Sequence, residues 1–355
     1  MTLPNLARTL GELYGEPVSP TEVIELRGDA SSRRYFRVVV EKARAGYPRS
    51  VIVMQLPEDA FRSDEGGKQL EIERLPFLEV AELLRSRGLP VPAIHVEDLR
   101  NGIILLEDLG DVTFEQQLHR TPRARWPELY ERAIDLLAQL HERCVDLPEG
   151  CIVSRRRFDR ELLAWELDHF REWGLEALWG PIDAEQAAVL GQAFARLVSA
   201  IEAMPSGFVH RDYQSKNLMV RATGALALID FQDALLGPRV YDLVALLCDS
   251  YVSIDLGLQE SMIERYAALR RIDPGALRRE FWRVALHRKL KDAGRFVYID
   301  RIRKNPDFLR WYPQSLVYVG RAIAQMRGFE GLGGLLTEAI PGFPDSVRKP
   351  ASMAE

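Results

Sequence analysis

The spacing of hydrophobic positions along the chain changes character at about residue 110. Before it, Leu6 to Leu13 has the period of a short amphipathic helix, and three runs read as strands: Glu22–Leu26, Tyr35–Val40 and Val51–Gln55. The segment between the first two, Arg27-Gly28-Asp29-Ala30-Ser31-Ser32-Arg33-Arg34, is small and polar, as a hairpin connection should be. Lys68 to Arg87 carries Leu70, Leu75, Leu78, Leu83 and Leu84 mostly at helical intervals, with Pro76 as a point of division and Gly88 where a C-cap belongs. Two more strands, Ala93–Val96 and Gly102–Glu107, end in Asp108-Leu109-Gly110.

From there to about Met204 the period is almost wholly helical, over Trp126–Cys144, Phe158–Trp173 and Ala184–Met204. A strand-rich island at Phe208–Asp230 interrupts it. Helices resume over Val240–Val252, Leu258–Leu269, Pro274–Tyr298 and Leu309–Arg327, before a charged, loop-rich tail from Pro341. No internal repeat or low-complexity segment is present. The pattern predicts an α+β chain: a sheet-rich lobe of about five strands over residues 1–110, and a larger, mainly helical lobe over 111–355.

Composition narrows this only a little. At 355 residues, 47% hydrophobic and 28% charged, the chain is an ordinary globular protein, which excludes disordered and collagen-like classes. A net charge of −5 argues against a general nucleic-acid binder. Cys144, Cys151 and Cys248 form no metal-binding or disulfide-framework spacing, which suits a reducing cytoplasm. Neither a signal-peptide pattern nor a run of about 18 apolar residues is present, so a cytoplasmic protein without a membrane partner is expected.

The chemistry concentrates in the strand-rich island. It reads Phe208-Val209-His210-Arg211-Asp212-Tyr213-Gln214-Ser215-Lys216-Asn217-Leu218-Met219-Val220 and then Leu226-Ala227-Leu228-Ile229-Asp230-Phe231-Gln232. His-x-Asp-x-x-x-x-Asn between two apolar strands is the catalytic-loop spacing of protein-kinase-like phosphotransferases. Phosphoryl transfer needs a carboxylate to take the acceptor hydroxyl's proton, a role for which Asp212 is placed. It also needs hard oxygen ligands for Mg²⁺, for which Asn217 and Asp230 are placed. His210 is assigned to holding the loop. A protein kinase is excluded as the nearest relative: Asp230 is followed by Phe231-Gln232, no Ala-Pro-Glu follows, and no Gly-x-Gly-x-x-Gly stands near the first strands.

Residues 208–251 and the lobed layout around them resemble the aminoglycoside phosphotransferase/choline kinase superfamily. Within it, the chain is most similar to the bacterial cell-wall-recycling kinases that phosphorylate N-acetylmuramic acid and N-acetylglucosamine at the anomeric hydroxyl. The narrower likeness rests on His210 to Met219, on Ile229-Asp230-Phe231-Gln232-Asp233-Ala234, on Gly237-Pro238 and on Tyr241-Asp242-Leu243-Val244. Supporting segments are Gly28-Asp29-Ala30-Ser31 with Arg34-Tyr35-Phe36-Arg37, Leu105 to Gly110, and Glu166-Leu167-Asp168 before Trp173.

The resemblance implies a bilobal, protein-kinase-like fold and an ATP- and Mg²⁺-dependent kinase for an amino sugar in peptidoglycan recycling. The partners are then a small sugar and ATP, and the state a monomer. It implies that Gly28, Ala30, Ser31, Ser32, Arg33 and Arg34 cover the nucleotide phosphates, an ordinary polar hairpin being the alternative. Leu105–Gly110 becomes the connector between the lobes, with Glu107 and Leu109 meeting adenine, and Asp108 either sharing that contact or capping the next helix. The matching acid of the superfamily braces the catalytic loop, which makes Asp242 structural. One departure stands out: the third strand, Val51-Ile52-Val53-Met54-Gln55, lacks the lysine that kinases present to the phosphates. Glu71 and Glu73 therefore read as solvated helix charges.

Acceptor candidates are Gln214, Gln232, Asp233, Asp249, Tyr251, Trp173 and the basic run His287-Arg288-Lys289-Leu290-Lys291. Lys291 could meet the carboxylate of a lactyl group, although a charge run is more often a solvated helix face. Two rival readings remain open at this point: an aminoglycoside or other amino-alcohol phosphotransferase, and a nucleotide-binding pseudokinase.

Overall fold

The computed structural model describes residues 5–26, 33–40, 43, 45–57 and 74–347, which divide into two compact units. The first runs to Val112 and includes Met219–Ile229; the second takes Thr113–Leu218 and the chain from Asp230 onward.

In the first unit, helix α1 (Leu6–Tyr14) precedes strands β1 (Glu22–Leu26), β2 (Arg34–Val39) and β3 (Ser50–Gln55). Helix α2 (Pro76–Ser86) leads to β4 (Ile94–Asp98) and β5 (Ile103–Glu107). The strands form an antiparallel sheet in the order β1-β2-β3-β5-β4, with Tyr35 opposite Met54 and Met54 opposite Ile104. Alternation explains the register: Phe36, Val38, Val51, Val53, Ile103 and Leu105 face one side and bury Leu6, Leu10 and Tyr14 of α1 against it. Interior strand β5 is buried on both faces, and edge β1 is mostly exposed.

Pro76 opens α2 at its first position, where its missing N–H costs nothing. At the other end Gly88, in the left-handed region at φ 68°, lets the Leu89 N–H return to the Leu84 carbonyl at 3.0 Å. The part of this helix expected before residue 74, with Glu71 and Glu73, lies outside the described residues. The hairpin of β7 (Leu218–Val220) and β8 (Leu226–Leu228) is tied into this unit. The Val220 N–H donates to the Val112 carbonyl and the Leu228 N–H to that of Pro90, both at 2.7 Å.

The second unit is mostly helical. Its first half contains α3 (Phe114–Arg120), α4 (Trp126–Arg143), α5 (Ile152–Arg155) and α6 (Arg160–His169). A π-helical segment (Phe170–Glu176) continues α6 into α7 (Ala177–Trp179), and α8 (Ala184–Glu202) follows. Thr113 with Gln116, and Asp183 with Gln186, form capping boxes at α3 and α8. Strand β6 (Ser206–Val209) pairs antiparallel with β9 (Leu235–Pro238), a strand not expected from a segment ending in Gly-Pro. Helices α9 (Tyr241–Leu247), α10 (Leu256–Arg270), α11 (Pro274–Arg303), α12 (Tyr312–Ala324) and α13 (Glu330–Ala339) complete the unit.

The 30-residue α11 runs through the core and buries Phe281, Trp282, Ala285, Leu286, Leu290 and Val297. It approaches the π-helical segment so closely that a Cβ on Gly294 would lie 2.8 Å from the His169 carbonyl oxygen and from the Phe170 Cα. Among the described residues, no helix is long and apolar enough to cross a membrane.

Candidate active site

Strand β6 delivers the chain to a tight loop, His210–Asn217, held from several directions. Asp242, in the first turn of α9 and fully buried, accepts the N–H groups of His210 (2.7 Å) and Arg211 (2.9 Å). It also accepts from His141 Nε2 (3.0 Å), whose Nδ1 is set by the hydroxyl of Tyr266 (2.6 Å). This brace holds Arg211 at φ 79°, a left-handed conformation that a non-glycine residue keeps only when its surroundings impose it. Further along the loop, the buried Asp249 accepts the Ser215 N–H (2.8 Å) and hydroxyl (2.5 Å). The Tyr213 hydroxyl donates to the Ala133 carbonyl at 2.7 Å. His210 is buried edge-on against Tyr213, and neither ring nitrogen has a hydrogen-bond partner among the described residues.

A fourth hold comes from α11. Arg288, about 1% exposed, donates to the Arg211 carbonyl at 2.8 Å and to Asp212 Oδ1 at 3.3 Å. Desolvation would raise the Asp212 pKa, but Arg288, Lys291 and Arg211 outweigh it and hold the carboxyl below its ordinary value. Asp212 is therefore an ionised, part-exposed carboxylate fixed in direction.

Asn217 closes the loop: its amide nitrogen donates to the Asp212 carbonyl at 2.9 Å and lies 3.4 Å from Asp230 Oδ2. Asp230, at the end of the β7–β8 hairpin, has a left-handed backbone (φ 63°). Its pKa is raised, first by desolvation and then by the Asp212 carboxylate, with Gln232 opposing. Asp212, Asn217 and Asp230 are thus brought together.

Other expected site residues fall as follows. The Gln232 amide is directed at Asp230 (2.8 Å) and Asp233 (3.3 Å), and Asp233 also lies 3.9 Å from Arg156. Gln214 is half-buried at the turn, where its carbonyl accepts the Asn217 N–H. In the first unit, Arg34 pairs with Glu25 at 2.7 Å, Glu107 takes a two-pronged contact from Arg221, and Leu109 and Arg33 are half-buried. Gly28, Ala30, Ser31 and Ser32 lie outside the described residues.

Three readings need correction. Asp108 does not cap the next helix, because Thr113 does; Asp108 instead takes a bidentate contact from Arg37 at 2.7 and 3.0 Å. Asp249 is buried and spent on Ser215, which removes it from the acceptor candidates; Tyr251 stays among them, half-buried and edge-on against Trp311 with the Lys216 ammonium 3.9 Å over its ring. The basic run of α11 is not a solvated face: His287, Arg288 and Lys289 are buried and Lys291 half-buried. Five consecutive helical positions, 100° apart, point all round the axis, so a buried helix must bury some of them. That geometric fact was the available signal for Arg288, the site residue with the firmest hold on Asp212.

A carboxylate, an amide and a second carboxylate on so braced a loop meet the needs of phosphoryl transfer, and with this mixed α+β fold they define the class, the protein-kinase-like phosphotransferases. The chain belongs to the phosphotransferase enzyme family, which matches residues 22–282. It is 33% identical over 341 residues to the N-acetylmuramate/N-acetylglucosamine kinase of Pseudomonas aeruginosa, covering 94% of this chain and 93% of that one. Among solved structures it resembles the choline kinase LicA from Streptococcus pneumoniae, with a TM-score of 0.58 and 16% identity, over 90% of this chain and 99% of that one. It also resembles the ADP-bound aminoglycoside phosphotransferase APH(2'')-Ib, with a TM-score of 0.56 and 14% identity, over 87% and 96%.

Proposed function

We propose that this protein transfers the γ-phosphoryl group of ATP to the anomeric hydroxyl of an amino sugar, N-acetylmuramate, N-acetylglucosamine or both, with the help of Mg²⁺. The observation that carries the reading is the Asp212 carboxylate, oriented by Arg288 and set beside Asn217 and Asp230. The similarity to the Pseudomonas aeruginosa enzyme supports the acceptor class.

Asp212 receives the acceptor hydroxyl and fixes the direction of its oxygen. An anomeric hydroxyl is more acidic than a simple alcohol, so a carboxylate held at low pKa suffices as proton acceptor and acts mainly by positioning. The donors suit magnesium. Asn217 and Asp230 offer two hard oxygens on groups 3.4 Å apart from amide nitrogen to carboxylate, and Asp230 is both desolvated and set near the Asp212 carboxylate, charge that a cation would offset. Mg²⁺ commonly takes few protein ligands and completes its shell with phosphate oxygens and water, so two such donors suffice. Bound there, Mg²⁺ would neutralise charge on the transferring phosphates. Nucleotide binding is assigned to the first unit, with Arg33, Arg34, Glu107 and Leu109 as those candidate residues that fall within the described part of the chain.

An aminoglycoside acceptor has less support: the aminoglycoside phosphotransferase that the chain resembles is 14% identical to it, against 33% for the amino-sugar kinase. ATP turnover over a panel of amino sugars and kanamycin, with Asp212→Ala as control, tests the proposal, and NMR of the product identifies the phosphorylated carbon. Transfer to kanamycin but to neither sugar, or ATP binding without transfer to any acceptor, would sink it.

A further inference from the structure

We propose that Lys291 recognises an acidic substituent on the acceptor sugar, so that the site distinguishes a carboxylate-bearing amino sugar from its neutral counterpart; the inference rests on the amino-sugar kinase reading above. It begins with an imbalance on α11. Arg288, Lys289 and Lys291 all lie against the carboxylate of Asp292, at 3.9, 2.9 and 3.2 Å, while Glu166, the other carboxylate that acts on Lys291, pairs with Arg211 at 3.4 Å. Arg288 has a second use on Asp212, and Lys289 is buried, with its ammonium also on Ser250. Of the three, Lys291 alone keeps a substantial contact with solvent, its side chain being 17% exposed against 1% for each of the others. Asp292 holds the ammonium from one side and leaves it donors to spare.

Its position matches a substituent rather than the reacting group. Residues 288, 291, 295 and 298 fall on one face of α11, spanning about 80° of the helix circumference. Lys291 lies roughly one turn, about 5 Å along the axis, from the arginine that touches Asp212. It is close enough to act electrostatically on both Asp212 and His169.

Beyond it the same face becomes an aromatic wall. The Arg295 guanidinium lies 5.5 Å over Tyr298, which meets Trp173 edge-on at 5.3 Å and His169 at 5.1 Å. A sugar whose hydroxyl rests at Asp212 would extend a substituent along this face to Lys291. An ammonium that is already partly desolvated binds a carboxylate more tightly than one in water.

The test is the ratio of kcat/KM for N-acetylmuramate, which carries a lactyl carboxylate, to that for N-acetylglucosamine, which lacks it. Lys291→Met should lower this ratio about 10- to 100-fold, the loss expected for a charge-assisted hydrogen bond, mainly through KM. Lys291→Arg should keep most of it. The methyl ester of N-acetylmuramate, tried on the unaltered protein, should suffer a similar penalty, and this arm stands even if the methionine variant does not fold. An unchanged ratio in Lys291→Met, equal losses on both sugars, or an ester used as well as the acid overturns the inference while leaving the kinase reading intact. Failure of the unaltered protein to phosphorylate either sugar removes that reading, and this inference with it.

Discussion

Arg288 and Asp212 meet at 3.3 Å although 76 residues separate them in the chain. The same guanidinium holds the Arg211 carbonyl, while Asp242 holds the Arg211 N–H, so one peptide segment is gripped from α11 and from α9. The carboxylate at the centre of the site is therefore aimed by two helices, and its own loop needs little intrinsic stiffness.

Replacing Arg288 by lysine keeps the buried charge but loses the fork that reaches both acceptors. The expected result is a kcat lowered about 10- to 100-fold, the penalty of a misdirected reacting group. Steady-state kinetics alongside a thermal melt would check it; a variant as fast as the parent would show that the fork is dispensable.

Asp212→Asn removes the proton acceptor while preserving shape. Transfer should fall about 10²- to 10⁴-fold, the usual worth of a positioned base. Because the side chain is part-exposed and Arg288 can still donate to an amide oxygen, the melting temperature should stay close to that of the parent. A large loss of stability with little loss of rate would reverse the roles assigned to these two residues.

Asp242→Ala strips three donors of their acceptor in a fully buried place: the N–H groups of His210 and Arg211, and His141 Nε2. Unsatisfied buried groups of this kind cost about 1–3 kcal/mol each, so denaturant unfolding should register a loss of several kcal/mol. A midpoint within error of the parent would mean that Asp242 braces nothing.

The strands and the catalytic loop were legible in the sequence because their signals are local. Short apolar runs bounded by turn residues placed β1, β2, β3 and β5 to within a residue or two, and the loop's chemistry lies in eight consecutive positions. What escaped depends on distance or on conflicting propensity. Arg288 and Asp249 act on the loop from 76 and 34 residues away, and nothing near them in the chain announces a partner. Strand β9 hides behind Gly237-Pro238, yet Pro238 sits at its end, where a missing N–H is tolerated. Helix α13 carries Gly331, Gly333 and Gly334, which depress helix propensity below what its leucines signal.

Gly294 is where α11 meets the backbone of His169 and Phe170. A methyl group there would fall 2.8 Å from backbone atoms that cannot swing aside, so the helix itself must move. Gly294→Ala should cost about 1–3 kcal/mol in chemical unfolding, as overpacking does, and should also lower activity, because α11 carries Arg288. Gly191→Ala in α8 is the contrasting control. An added Cβ there meets nothing within 4 Å, and alanine should stabilise the helix by about 0.5–1 kcal/mol. Equal effects at the two sites would contradict the packing argument.

The ring of His169 lies between Trp165, stacked at 5.4 Å, and Tyr298, with Nε2 buried and unpartnered. Burial, aided by Arg295, pushes its pKa down from 6.5 to about 4. Above pH 6.5 the ring is neutral in both folded and unfolded chains, and its contribution to stability is fully present. Between pH 6.5 and about 4 the unfolded chain binds a proton that the folded one refuses, so stability must fall with the pH. After allowance for solvent screening this loss is of the order of 1–2 kcal/mol. His287, also pushed down by burial, acts in the same sense, so His169→Phe should flatten the decline without abolishing it. Unfolding free energies measured at intervals from pH 7.5 to 4.5 would reveal the difference. Parallel curves for parent and variant would mean that the ring takes up its proton in the folded state and that the aromatic wall beside Lys291 is open to water.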